Sequence, residues 1–119
     1  MIRIFFSHRM HGWNADEIRN YREQRWLQFI EDAHLYLTPD QIAELTPSTH
    51  WVDTIFSAEE IGIGEEDPRY AARCLAKSLS LMASADLIVF DVGWHQHRGC
   101  RIEFQVATEY NLNFKIMQR

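Results

Sequence analysis

Leu87, Ile88, Val89 and Phe90 form an unbroken apolar run set between Asp86 and Asp91. A strand with one wet face alternates apolar and polar residues, whereas a run with no alternation suits a strand covered on both sides. The run therefore predicts a parallel sheet between helical layers, an α/β chain. After Asp91 the sequence leaves the strand through Gly93 and Trp94, passes His95, Gln96, His97, Arg98 and Gly99, and resumes helical spacing at Cys100, Phe104 and Ala107. A strand that feeds a helix through a glycine-containing loop brings free N–H groups and a positive dipole end to the carboxyl edge of the sheet. Open α/β folds bind ligands at that edge. Glu103 is expected in the first turn of this helix, beside Arg98.

The rest of the chain supplies partners for that strand. Ile2 to Phe6 reads as a first buried strand. The loop Ser7, His8, Arg9, Met10, His11, Gly12, Trp13 follows, and Asn14 is placed to cap the next helix. From Ala15 to Ala33, Ile18, Tyr21, Trp26, Phe29, Ile30 and Ala33 keep helical spacing, with Asp16, Arg19, Arg22, Glu23 and Gln24 expected in solvent. Residues 34–48 read as an insertion, in which His34-Leu-Tyr-Leu37 suits a strand or a helix end and Thr38-Pro39-Asp40 suits a helix start. Trp51, Val52, Thr54, Ile55 and Phe56 read as a second strand. A helix is expected from Pro68 to Ala83 and a last strand over Phe114–Met117. Right-handed crossovers then favour a four-stranded parallel sheet in the order 2-1-3-4, with a switch point between the first and third strands. That arrangement brings Ser7, His8, Arg9, Met10 and Gly12 to face Gly93, Trp94, His97, Arg98 and Gly99 across one crevice. Arg9 and Arg98 suit phosphate oxygens, and Met10 and Trp94 could wall a base.

A chain of 119 residues forms one domain, 1–119. The net charge of −5 argues against broad nucleic-acid binding. No apolar run approaches the roughly 20 residues of a membrane span, and the start Met-Ile-Arg-Ile-Phe-Phe lacks a leader pattern, so a cytoplasmic setting is expected with no membrane partner. Cys74 and Cys100 match no ligand spacing and read as free thiols. His8, His11, His95 and His97 lie on the two facing loops. Their spacing matches no known metal motif, and neither a metal nor a cofactor is called for, although a histidine-dependent metallohydrolase is one alternative.

Ala85-Asp86 ahead of an apolar strand, then Gly93-Trp94, then Arg98-Gly99-x-Arg101-x-Glu103 opening a helix, resembles the nucleoside 2-deoxyribosyltransferase-like proteins, including their short members. The resemblance covers nearly the whole chain outside residues 34–48. It implies a flavodoxin-like fold, a homodimer, and cleavage or exchange at the N-glycosidic bond of a nucleotide or nucleoside. It also implies that Glu103 attacks the anomeric carbon or stabilises its developing charge, which suits a carboxylate facing an oxocarbenium-like state. Asp91 at the strand end would hold a sugar hydroxyl or orient the base. The chain departs from the family at Ser78, where an acidic residue is common, and at His97, where a small hydroxyl residue is usual. Ser78 bonds hydrogen but supplies no charge, so a nucleotide-binding module without turnover is the second reading.

Overall fold

The structure, a computed structural model, describes residues 1–119. Three parallel strands, β1 (Ile4–Ser7), β2 (Leu87–Phe90) and β3 (Phe114–Ile116), lie in the order β1-β2-β3. Ile4 pairs with Leu87 and Ser7 with Phe90, while Phe90 also pairs with Ile116. β1 and β2 are buried at every position, as their unalternating sequences require. Side-chain alternation sorts these strands between two cores. Ile4, Phe6, Leu87 and Val89 pack with Trp26, Phe29, Tyr36, Leu37 and Trp51 on one face. Phe5, Ile88 and Phe90 pack with Met82 and Ala107 on the other.

Helix α1 (Ala15–Glu31) covers the first face. Asn14 and Glu17 close its first turn as a reciprocal capping box, and Ile18, Arg22, Trp26 and Phe29 form its buried stripe. A single 3₁₀ turn over Ala33–Leu35 then delivers Tyr36 and Leu37 into the same core, with the Tyr36 ring stacked on Phe29 at 5.2 Å. A short helix α2 (Pro39–Ala43) starts at a Thr38 cap with Gln41 as its reciprocal partner. On the second face, α3 (Ala58–Ile61) leads to α4 (Tyr70–Ala83), which buries only Met82, and α5 (Arg98–Glu109) buries Cys100, Glu103 and Ala107. No helix is long and apolar enough to cross a membrane.

The sheet has three strands and not the expected four. The segment from Trp51 to Phe56 meets β1 only through a parallel bridge between Trp51 and Ile4, with Val52 N–H donating to the Ile4 carbonyl at 2.9 Å. Arg22 explains why pairing stops there. Its Nη2 donates to the Val52 carbonyl at 2.6 Å, its Nη1 donates to Thr54 Oγ1 at 3.1 Å, and the Asp53 carboxylate takes the Ile55 N–H at 2.9 Å. Side chains have thus taken backbone groups that a ladder would use. Arg22 itself was expected in solvent and is 4% exposed. The α4 helix begins at Tyr70, two residues after Pro68.

The two faces of α1 supply a direct check on this packing. Phe29→Ala removes a ring that is 0% exposed and should cost about 3–5 kcal/mol in urea denaturation. Leu27→Ala, on a side chain that is 62% exposed, should change stability by no more than about 0.5 kcal/mol.

Candidate functional site

At the carboxyl edge of the sheet the alternation that sorts the cores also sorts the polar groups. Ser7 continues the face of Phe5, and His8 continues the face of Phe6. Ser7 Oγ–H donates to Glu103 Oε1 at 2.7 Å, and both side chains are buried. Glu103 occupies that place because Cys100, Glu103 and Ala107 form the inward stripe of α5, so a carboxylate sits where helical spacing calls for an apolar side chain. The helix begins at Arg98, which puts Glu103 in the second turn, one turn deeper than expected. Glu103 accepts from Ser7 and caps no backbone group. Burial pushes its carboxyl up from 4.5 to about 7, with the Ser7 hydrogen bond pulling the other way. Burial also pushes the neighbouring Cys100 thiol up to about 11, which leaves it protonated and unreactive near neutral pH. Cys100 and Cys74 are both free thiols.

Asp91 does not share this space. It follows Phe90 by one residue and so faces α1, where it accepts from the Tyr21 hydroxyl, from Arg25 Nε at 3.0 Å and from the Val92 N–H at 2.9 Å. Arg25 also donates to the Arg119 carbonyl at 2.7 Å, so Asp91 binds α1 and the C-terminal tail to the end of β2. Burial and the Asp91 contact both raise the Tyr21 phenol far above its usual range. The carboxylate of Asp91 is occupied by three donors at 4% exposure.

His8 is likewise committed on the α1 face. Its Nδ1 is 2.8 Å from the Arg9 carbonyl, which requires the hydrogen on Nδ1, and its Nε2 then accepts from Arg22 Nη1 at 3.3 Å. The ring stacks on Phe6 at 4.8 Å. Burial, aided by the Arg22 charge, drives its pKa from 6.5 down to about 3, so it is neutral. No group of three or more His, Cys, Asp or Glu side chains is placed to hold a metal ion.

The loop residues divide in the same way. Arg9 is exposed and folds over its own loop, donating to the His11 carbonyl at 3.3 Å and lying 4.9 Å from the Trp13 ring centroid, while Gly12 makes the turn at φ +82°. Met10 Sδ is 3.9 Å from Thr54 Oγ1. On the other loop Gly93 turns at φ +73°, and the Trp94 ring stacks on Phe104 at 3.9 Å within a cluster that includes Phe90. Met10 and Trp94 therefore serve opposite faces of the sheet. His97 is the residue before α5, and no side chain caps the helix there. With Arg98 exposed, Gly99 open to space within 4 Å and no acidic residue in the first turn, the N-terminus of α5 is unobstructed and positive. Ser78 is half-buried on α4.

Tyr21, Arg22, Arg25 and Thr54 are site-forming residues that the sequence reading did not select. The signal for Arg22 was present, since it lies four residues after Ile18 and four before Trp26, on the buried stripe. Tyr21 and Arg25 are likewise one turn apart.

No family model, curated protein sequence or solved structure matches this chain.

Because the fold holds the Glu103 proton up to about 7 while the unfolded chain releases it near 4.5, this group makes the protein less stable as pH rises through that window, by roughly 3 kcal/mol. His8 has the opposite sign: its contribution is complete above 6.5 and is lost as pH falls toward 3. Glu103→Gln removes only the first effect. Urea denaturation should show the variant gaining on the wild type by roughly 3 kcal/mol between pH 4.5 and 7. A difference that stays constant with pH would mean that Glu103 titrates normally.

Proposed function

We propose that the chain is an N-glycosidase or deoxyribosyltransferase-like enzyme acting on a nucleotide or nucleoside, with a flavodoxin-like sheet order and in a cytoplasmic setting. The observation that carries this reading is the Glu103 carboxylate, buried and held by Ser7 at the carboxyl edge of a parallel sheet, one turn inside the open N-terminus of α5. A glycosidic C–N bond breaks with its electron pair leaving on the base, and the sugar carbon becomes cationic. Ionised Glu103 either forms a C–O bond to that carbon or stabilises its charge until water or an acceptor base attacks. In a site that excludes water, one carboxylate stabilises such a charge far more than it would in solvent. A titration midpoint of about 7 leaves a substantial ionised fraction near neutral pH, and the approach of a cationic centre favours that form. Arg98 and the first N–H groups of α5 are the phosphate-binding elements of this reading. Ser7 keeps the carboxylate in place, and Asp91 positions α1 and the tail around the edge.

Ser78 favours a second reading, in which this edge of the sheet binds a nucleotide without turning it over. A serine on α4 neither carries charge nor protonates a leaving base near neutral pH. The two readings part in one assay. Glu103→Gln should retain nucleotide binding and lose all release of free base, because the amide keeps the shape and one acceptor but lacks the charge needed in the transition state. Ser78→Asp should raise turnover. Wild-type turnover that is unaffected by Glu103→Gln would overturn the mechanism, and tight binding with no turnover in any form would establish the binding module.

The same reading includes a homodimer. Helix α4 buries only Met82, and Leu75 and Leu79 remain half-exposed along the same helix. A second copy covering this stripe would complete the smaller core. Sedimentation at micromolar concentration should give twice the 14.1 kDa of the chain, and a monomer alone would refute the dimer.

A further inference from the structure

A second, separate site is suggested by a buried cation that makes no salt bridge. Arg22 is 4% exposed, yet none of the ion pairs in the chain includes it. Its three hydrogen bonds go to neutral acceptors, namely His8 Nε2, Thr54 Oγ1 and the Val52 carbonyl. A guanidinium has five N–H donors, so the Nε–H and one Nη2–H are unspent. No fully buried side-chain nitrogen or oxygen in the chain lacks a partner. The partnerless Nε is therefore not fully buried, and Arg22 lines a cleft of about 340 Å³ with Arg19, Glu23, His50, Trp51 and Asp53.

The charges around the cleft are unevenly committed. Glu23 is taken by His50 Nε2 at 2.9 Å, and Asp53 is turned to the Ile55 N–H at 2.9 Å. Arg19 has only a 3.5 Å contact to Asp16, with both side chains largely in solvent. Two arginines with donors to spare thus line the cleft. A charge withdrawn from water is unfavourable, and Arg22 shows it: burial lowers its pKa to about 10 even though the Asp53 carboxylate acts to raise it.

We propose that this cleft is a binding site for a compact organic oxyanion, a phosphate or a carboxylate, held by Arg22 and Arg19 with its apolar part against Trp51 and Ile55. A planar guanidinium with two free N–H groups matches two oxygens of either anion, and the volume suits a small ligand. The site is independent of the proposed glycosidic chemistry, since Arg22 and His8 lie on the α1 face of the sheet and Glu103 lies on the other.

The test titrates the intact chain with inorganic phosphate and, separately, with acetate at constant ionic strength. It follows the thermal midpoint and the Arg22 Nε–H resonance. Either anion should raise the midpoint saturably, with a dissociation constant on the order of 1 mM, and should move that resonance. A response to phosphate alone assigns the site to phosphates, and a response to both assigns it to oxyanions generally. Arg22→Gln should abolish the effect and Arg19→Ala should weaken binding roughly tenfold. Asp53→Asn, which removes the carboxylate that acts on Arg22 in competition with an anion, should tighten it. If Arg22→Gln does not fold, the opposite shifts of Arg19→Ala and Asp53→Asn still decide the matter. Failure of both anions to saturate, or an effect unchanged by all three substitutions, overturns the proposal.

Discussion

The parallel pairing of β1 with β2 is the constraint on which the rest of this structure depends. Both strands are fully buried, so each consecutive residue must go to one core or the other, and the assignment does not stop where the strands end. Ser7 and His8 are adjacent in sequence and face opposite layers, as do Phe90 and Asp91. A polar edge that looks like a single crevice when written as two loops is therefore two half-sites separated by the thickness of the sheet. One is built around Glu103 under α5, and the other around Arg22 and Asp91 beside α1.

Each half-site is organised by a charged group placed on a buried helical stripe. Glu103 lies between Cys100 and Ala107, and Arg22 lies between Ile18 and Trp26. Burial moves both groups toward their neutral forms, opposed at Glu103 by the Ser7 hydrogen bond and at Arg22 by the Asp53 charge, and neither group makes a salt bridge. Asp91, which is no more exposed, is treated differently. It meets Arg25 at 3.0 Å and two further donors, and it works as a clamp. Perturbed, unpaired groups of this kind mark functional sites more often than paired ones do.

Arg22 also links fold to site. By taking the Val52 carbonyl it ends the pairing of that segment with β1 after a single bridge, and the same residue lines the cleft beside Trp51. The missing fourth strand and the second site thus share one cause. Trp51 remains in the core because its Nε1–H finds the Arg22 carbonyl at 2.9 Å and its ring stacks on Phe6 at 4.3 Å.

Local sequence was enough to place the buried strand Leu87–Phe90, a first strand read over Ile2–Phe6 that the structure has at Ile4–Ser7, the capped helix after Asn14 and the strand-loop-helix unit that carries Arg98 and Glu103. Those elements follow from apolar runs, helical periodicity and capping chemistry, all of which act over a few residues. The Ser7 and Phe90 ends were also legible as neighbours, because parallel strands with helical crossovers allow few arrangements. Three things required the tertiary structure. The β-rich composition of Trp51–Phe56 promised a strand, and a side chain 30 residues away in sequence, Arg22, took the Val52 carbonyl it needed. The depth of Glu103 depended on where α5 begins, which local spacing left uncertain by a turn. The split of the loop residues between two faces depended on strand register, which sets whether a given side chain points toward α1 or α5 and has no signature in the loops themselves.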